Sequence, residues 1–342
     1  MTCSVFPGVS AISSKNKHLG VLLVGLTGLT FNACSPAGSG PSVHWPDPDS
    51  LATAQLLLPG FIDTGEAERD GAFSPNMDRF LYSLTFPGNT TSVIMEMALT
   101  DDGLEAARVA SFSGCYPDIE PFITPDGAWC YFASRRPVSE NEELKDWDIW
   151  RVPRQGSGWG IPENIGAPVN TPGNEFYPSL SRDGTLYFTA TREGGMGHED
   201  IWFADPTSDG FAEPQVLGAM INSAGWEFNA WIHPNEDLLL YTAFGREDDL
   251  GGGDLYAAHR DSTGIWQAAI HLGPEVNSDK MDYCPSISPD NQVLIFSSKR
   301  AILTLPASPP LTDDRARELL RSPGNGRDDI YLISTATLGL TF

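Results

Sequence analysis

Five acidic residues recur at the same place in a repeated segment, six residues before a serine, threonine or histidine that opens a turn. They are Glu68, Asp118, Glu175, Glu227 and Asp282. A second polar set stands five positions before each of them, and its members are Asp63, Ser113, Asn170, Asn222 and Asn277. Carboxylate and amide oxygens in this combination could bind a hard cation such as calcium, or the amines of a basic peptide. Alternatively, each carboxylate accepts backbone N–H groups within its own repeat and is purely architectural.

The recurring acids predict a ligand site if the repeats are arranged around one axis. Carboxylates that ring an axis repel one another, which raises some of their pKa values or recruits a cation. The ligand-binding residues predicted on this basis are Glu68, Asp118, Glu175, Glu227, Asp282, Asn170, Asn222 and Asn277. No dedicated metal site and no cofactor are expected. Calcium on the same carboxylates is the alternative.

Motifs for nucleophilic or metal-dependent catalysis are absent from the sequence. It has no Gly-x-Ser-x-Gly elbow and no His-Glu-x-x-His pair, and its six histidines show no ligand spacing. The sequence therefore favours a protein without catalytic residues. The enzymatic alternative is a glycoside hydrolase or lyase, which needs two carboxylates at a defined separation, one with a raised pKa. The candidates for that chemistry are Asp118, Glu175 and Glu227, with Trp226 or Trp231 stacking on a sugar.

The elements that must position these residues are copies of one unit. The acidic positions are separated by 50, 57, 52 and 55 residues. Each copy continues through a turn into an apolar strand, a loop, a segment such as Asp200-Ile-Trp202, and a short strand that ends near an asparagine. Alternating apolar and β-branched residues between turn signals are typical of strands. A period of this length suits a blade of four strands.

One copy carries a family resemblance. It reads Tyr177-Pro-Ser-Leu-Ser-Arg-Asp-Gly-Thr-Leu-Tyr-Phe-Thr189, followed by Arg192 and Asp200-Ile-Trp202. This pattern resembles the TolB-type, WD-like β-propeller repeat over about residues 51–335. The resemblance implies an all-β propeller, and the five copies of the repeat predict five four-stranded blades, with six blades as the alternative. It implies little about function, because the repeat serves many proteins.

The two ends of the repeat array predict how the ring closes. The last copy lacks its final strand, whereas Gln55–Asp63 aligns with the final strand of the third copy, Gln215–Asn222. Leu51–Leu58 is therefore predicted to supply the outer strand of the last blade, which protects the sheet edges. The predicted propeller covers residues 51–342, with blades at about 64–112, 113–169, 170–221, 222–276, and 277–342 plus 51–58.

The N-terminal residues are predicted to be a targeting signal. Lys15, Lys17 and His18 precede the apolar run Leu19–Leu29, and a small residue precedes Cys34. This resembles a bacterial lipoprotein signal, which implies a signal peptide at 1–33, lipidation of Cys34 and a flexible tether at 34–50. The implied location is the bacterial cell envelope, lipid-anchored at the outer membrane and facing the periplasm or the cell surface. An ordinary cleaved signal with an incidental Cys34 is the alternative.

The loops between second and third strands carry two further expectations. Ion pairs across those loops are predicted, namely Arg136 with Asp148, Arg192 with Asp200, Arg246 with Asp254 and Arg300 with Asp329. The loops also differ between blades, as recognition loops do on a rigid body. The loop of the fifth copy is predicted to hold a short capped helix over Thr312–Arg321. His198 is predicted to be a surface residue of the third copy's loop.

The remaining cysteines show no disulfide framework. Cys115, Cys130 and Cys284 are irregularly spaced. A Cys115–Cys130 bridge is possible in an oxidising compartment, but buried, unpaired strand cysteines are the favoured prediction for Cys130 and Cys284.

Charge narrows the class of partner. The net charge is −24, from 21 basic and 45 acidic residues, and a surface this negative repels phosphate backbones. Nucleic-acid binding is therefore excluded. The sequence favours a lipid-anchored, non-enzymatic module that binds an envelope protein, a peptide or a glycan through its acidic loop face. The alternatives are the glycosidase or lyase described above and a cation-stabilised scaffold without a soluble ligand.

Overall fold

Each of the first four sequence repeats folds into one antiparallel sheet of three longer strands and one short outer strand, and the fifth repeat supplies the three longer strands of the fifth sheet. The computed structural model of the chain describes residues 44–100, 102–139, 144–305 and 308–342. The predicted all-β, five-bladed propeller of four-stranded blades is confirmed. In blade order, the first strands are Ala67–Phe73, Asp118–Ile123, Glu175–Leu180, Trp226–Ile232 and Asp282–Ile287.

The second strands lie in the middle of each blade, between the first and third strands. They are Arg79–Thr85, Trp129–Ser134, Leu186–Ala190, Leu238–Phe244 and Val293–Ser298. The third strands are Ser92–Thr100, Asp148–Gln155, Asp200–Ala204, Asp254–His259 and Asp329–Ser334. The outer strands are Arg108–Val109, Glu163–Asn164, Gln215–Val216, Ile270–His271 and, for the fifth blade, Gln55–Leu56. The remaining short strands are Gly103–Leu104, Gly158–Trp159, Pro206–Thr207 and Gly210–Phe211.

The hydrophobic core consists of five clusters, and each cluster lies between two neighbouring blades. Because every blade packs on both of its faces, the second strands of the third and fifth blades are buried along their whole length. The first strands contact one another all the way round, including the fifth against the first. This packing explains why the second strands read as continuous apolar runs rather than as an alternation.

The predicted closure of the ring is confirmed. Gln55–Leu56 pairs antiparallel with the third strand of the fifth blade, with Gln55 opposite Leu332 and Leu56 opposite Tyr331. The pairing is extended by a bond from Leu57 N–H to the Ile330 carbonyl of 2.8 Å. Leu57 is fully buried in the core cluster between the fifth and first blades. We call Leu51–Leu58 the clasp.

A β-bulge interrupts the middle of each first strand. The pairing register shifts there, and the residue two positions after the repeated acid takes a positive φ. These residues are Asp70 (62°), Glu120 (59°), Tyr177 (49°), Asn229 (51°) and Cys284 (53°). A bulge of this kind bends the strand and redirects its side chains. All five residues are buried, and they belong to the axis described below.

The loop between the second and third strands of the fifth blade contains the predicted helix. An α-helix covers Asp313–Leu319, and Thr312 Oγ1 caps it by accepting the Arg315 N–H at 3.3 Å. A second short α-helix, Thr335–Leu338, follows the last strand, and 3₁₀ turns form at Pro48–Ser50 and Pro87–Asn89. None of the helices among the described residues is long and apolar enough to cross a membrane.

The N-terminal predictions fall largely on residues that the structure does not describe. The signal segment 1–33, Cys34 and the tether up to residue 43 all lie outside the described residues. Within the rest of the predicted tether, Trp45 packs edge-on against Phe73 with ring centroids 4.5 Å apart.

Candidate functional site

The five repeated carboxylates are buried at the start of their first strands, where their oxygens accept hydrogen bonds from their own blade. Glu175 and Glu227 each accept a backbone N–H and a hydroxyl from the residue four positions earlier, Thr171 and Ser223. Asp282 is bound in the same way by Ser278 and also accepts the Ser298 hydroxyl at 2.6 Å. These contacts support the architectural alternative for this set, and no carboxylate of the set is more than 1% exposed.

The arginines after the second strands do not pair as the sequence predicted. The predicted partners were the acids that begin the third strands. The structure instead pairs each arginine with the repeated carboxylate of the first strand: Arg136 with Asp118 (2.7 Å), Arg192 with Glu175 (3.1 Å), Arg246 with Glu227 (3.1 Å) and Arg300 with Asp282 (2.5 Å). The prediction of the partner was therefore wrong. Burial makes these pairs structural rather than solvent-exposed contacts.

The asparagines clamp the segment that follows each outer strand onto the third strand of the same blade. Asn222 Oδ1 accepts the Ile201 N–H at 2.9 Å, and its Nδ2 donates to the Ile201 carbonyl at 3.0 Å. Asn170 and Asn277 make the same pair of bonds to Ile149 and Leu255. Each side-chain amide thus makes the pair of hydrogen bonds that the backbone of a neighbouring strand would make to the third strand. The amides of Asn170, Asn222 and Asn277 are therefore used in hydrogen bonds to the backbone of their own blades.

Glu68 is the one repeated carboxylate without an arginine partner among the described residues. Burial raises its pKa to about 7, although hydrogen bonds from Thr64 act in the opposite direction. Burial also raises the pKa of Asp329, at the start of the adjacent third strand, to about 6. Both carboxyls therefore hold a proton more tightly in the folded chain than in the unfolded chain.

These raised pKa values predict that stability falls as pH rises. Between about pH 4.5 and 7 the folded state retains protons that the unfolded state has lost, so the free energy of unfolding decreases by up to about 3 kcal/mol for Glu68 alone. We expect urea unfolding, with a chelator present so that no cation competes with protons, to show greater stability at pH 5 than at pH 7.5. Glu68→Gln should make this slope shallower, whereas exposed Glu105→Gln should not. An unchanged slope in Glu68→Gln would contradict the assignment.

The propeller axis is closed by side chains from the bulges. Arg69 donates to Asp70 at 2.6 Å and to Glu120 at 2.8 Å. Glu120 also accepts the Asn229 amide at 3.3 Å and the Tyr177 N–H at 2.7 Å, so its carboxylate joins three further blades. A cavity of only about 30 Å³ lies beside this network. Cys284 packs here as a free, buried thiol, with its Sγ 3.6 Å from Arg69.

This axial network was not predicted from the sequence. Its signal is a polar residue two positions after the repeated acid in three of the five copies, namely Asp70, Glu120 and Asn229, within strands that otherwise alternate. Cys130 is free and buried, as predicted, and Cys115 is disulfide-bonded, so the possible Cys115–Cys130 bridge does not form.

Apolar side chains are exposed mainly on one face. We define the loop face as the face formed by the loops between second and third strands and by the loops that lead into the first strands. Most of the strongly exposed large hydrophobic residues of the described chain lie there: Phe86, Tyr116, Val138, Leu144, Met196, Met220, Phe244, Leu250, Ile302, Leu305 and Leu320. Exposed apolar side chains concentrated in this way are typical of a binding surface.

The third and fourth blades hold the best-formed part of the loop face. His198 stacks on Trp226 with ring centroids 3.9 Å apart and planes 9° apart, and Trp226 contacts Phe244 at 5.4 Å. A shallow groove of about 660 Å³ runs past Met220 and Trp226 to Glu247. His198 is exposed, as predicted. We call Met196, His198, Met220, Trp226 and Phe244 the aromatic patch.

The patch is held by tight backbone packing at two glycines. A Cβ on Gly197 would lie 2.4 Å from the Gly225 carbonyl, and a Cβ on Gly225 would lie 2.6 Å from the Phe244 carbonyl. His198 N–H donates to the Gly225 carbonyl at 2.9 Å. Because these three segments approach so closely, the patch is preformed rather than carried on an independent loop.

The opposite face carries two depressions at the turns between first and second strands. One of about 340 Å³ lies over Phe122, Trp231 and Ile287, beside His233. Its neighbour, of about 630 Å³, lies between the second and third blades, where Arg151 stacks over Trp129 at 4.3 Å. Trp231, a candidate sugar-stacking residue, therefore lies on the opposite face from Glu175 and Glu227.

The comparisons with known proteins concern solved structures only. No family model and no curated protein matches the chain. TolB from Acinetobacter baumannii matches at 14% identity over 78% of this chain with a TM-score of 0.41, and this chain spans only 54% of that protein. An α-L-arabinofuranosidase from Lactobacillus brevis matches at 12% identity over 79% of this chain and 90% of its own, with a TM-score of 0.45. A thermostable family-43 glycoside hydrolase matches at 12% identity over 78% of this chain and 88% of its own, with a TM-score of 0.48.

Proposed function

We propose that this propeller is a non-enzymatic binding protein of the bacterial envelope that takes a protein or peptide partner on its loop face. The observation that carries the proposal is the concentration of exposed apolar side chains on that face, among them those of the preformed aromatic patch. The opposite face and the rim expose few such side chains within the described residues, among them Ile161 and Ile265.

Charge defines the chemistry of the partner. The loops around the aromatic patch carry the exposed acids Glu193, Glu247 and Asp248, while Arg192 and Arg246 are occupied by internal carboxylates. A partner segment with basic residues flanking apolar ones would match this surface. A glycan fits less well, because His198 already covers one face of the Trp226 indole.

The burial of the repeated carboxylates also favours binding over catalysis. A glycoside hydrolase or lyase would need Asp118, Glu175 and Glu227 beside a sugar, but each is fully buried and hydrogen-bonded to an arginine. The location in the envelope, the lipid anchor at Cys34 and the outer-membrane destination remain parts of the proposal that depend on the N-terminal sequence.

The proposal predicts that disrupting the aromatic patch removes the partner. We expect affinity capture from envelope extract with the full chain to recover a partner whose yield falls at least tenfold for Met196→Asp combined with Met220→Asp. The matched control is Ile161→Asp combined with Ile265→Asp, which adds the same charge at exposed apolar positions away from the loop face. Capture should also weaken between 50 and 500 mM salt, because the acidic rim is screened. Equal capture by both double variants would contradict the proposal.

A further inference from the structure

The junction between the fifth and first blades differs in charge from the other four. At those four junctions an arginine neutralises the repeated carboxylate. In the second, third and fifth blades this arginine stands two residues after the residue that pairs with the repeated acid. In the first blade Leu84 pairs with Glu68, and the residue two positions later is Phe86. Among the ion pairs of the described residues, none involves Glu68.

The same junction has gained a carboxylate. The clamp position that holds Asn170, Asn222 or Asn277 elsewhere is Asp63 here. Its two oxygens accept the N–H groups of Ile330 and Leu57, each at 2.9 Å. Because an aspartate replaces the neutral amide, a third negative charge joins those of Glu68 and Asp329.

The three carboxylates meet in one buried cluster. Asp63, Glu68 and Asp329 each place an oxygen within 4.8 Å of the others, and none of the three is more than 1% exposed. Glu68 Oε2 and Asp329 Oδ1 are buried and have no hydrogen-bond partner. Three buried carboxylates, two of them with an unused oxygen and none with an ion-pair partner among the described residues, require compensation from something that binds there.

We propose that Asp63, Glu68 and Asp329 bind one calcium ion that ties the last blade to the first. The site joins the segment after the clasp, the first strand of the first blade and the third strand of the fifth blade. An ion held there links the three segments that close the ring. Burial is the main cause of the raised pKa values of Glu68 and Asp329, and the charge of Asp329 raises that of Glu68 further.

The donor set favours calcium among the common cations. All three side chains offer oxygen, which excludes the metals that prefer sulfur or nitrogen ligands. Oxygens that share one ion are at most two bond lengths apart, about 4.6–5.2 Å for calcium and about 4.0–4.2 Å for magnesium. Oxygens within 4.8 Å of one another fall inside the calcium limit, and magnesium, which usually keeps several waters, suits a buried all-protein site less well.

Thermal unfolding of the full chain at pH 7.5, with calcium and with a chelator, tests this site. We expect calcium at about 100 times its dissociation constant to raise the melting temperature by about 5 °C, with magnesium far less effective. Asp329→Asn should abolish the calcium-dependent rise. The matched control is Asp254→Asn, at the equivalent position of the fourth blade, where His271 contacts the acid at 3.0 Å; it should keep the full rise.

A direct measurement of calcium binding tests the site even if the Asp329→Asn variant folds poorly. Isothermal titration of the chelator-treated full chain should give one calcium per chain, and Glu68→Gln should weaken it at least tenfold. The proposal is overturned if the wild-type protein binds no calcium at millimolar concentration, or if its melting temperature responds to pH alone. That result would show that the carboxylates are neutralised by shared protons.

Discussion

Leu57→Asp is expected to open the ring and to cost the protein about 5 kcal/mol or more of unfolding free energy. Leu57 is fully buried in the cluster between the fifth and first blades, and its N–H bonds the Ile330 carbonyl. Removing a buried leucine side chain costs about 2–5 kcal/mol, and burying an unpaired carboxylate adds to that. Because the clasp is the only pairing of the fifth blade's outer edge within the described residues, its loss exposes the strand Asp329–Ser334.

Urea unfolding followed by tryptophan fluorescence measures this effect. The matched control is Gln55→Asp, which places the same charge in the same clasp at an exposed side chain and should shift the midpoint little. If Leu57→Asp unfolds at the same urea concentration as Gln55→Asp, then the clasp does not hold the ring together.

Arg69→Met is expected to cost about 3–5 kcal/mol through the axis rather than through the clasp. The substitution keeps an apolar stem but leaves the buried carboxylates of Asp70 and Glu120 without their counter-charge. Breaking a buried ion pair by removing one partner has a cost of this size, because the remaining charge is uncompensated. Adding Glu120→Gln to Arg69→Met should recover part of the loss, since it removes one of those charges.

The control for the axis is an exposed ion pair. Arg315 and Glu318 form a pair on the surface of the short helix, and exposed pairs contribute about 0–1 kcal/mol. Arg315→Met should therefore leave the urea midpoint almost unchanged. Equal midpoints for Arg69→Met and Arg315→Met would mean that the axial network does not stabilise the propeller.

The architecture could be predicted because the sequence pattern of one blade recurs several times in the chain. Five copies fix the number of blades, and the missing strand of the last copy has its counterpart in the clasp. The helix at Asp313–Leu319 was predictable from Thr312 and the acids that follow it, because N-capping is local. Such features depend on residues close in sequence or on an alignment of repeats.

Side-chain partners could not be predicted because two acids are equally near in the sheet. Ala190 pairs with Glu175 on one side and with Asp200 on the other. The side chain of Arg192 can therefore reach either Glu175 or Asp200, and only the folded blade shows that it pairs with Glu175. The axial network was hidden for a related reason, since a bulge shifts Asp70 and Glu120 out of the simple alternation.

Photo-crosslinking on the full chain in the native envelope tests the central claim, that the loop face binds a partner. A photoreactive residue is placed at Met220 or Leu250 on the loop face, and at Ile161 or Ile265 away from it; all four side chains are exposed. We predict one adduct of the same mass from both loop-face positions and none from the other two. Adducts from Ile161 and Ile265 alone, or equally from all four positions, would contradict the account.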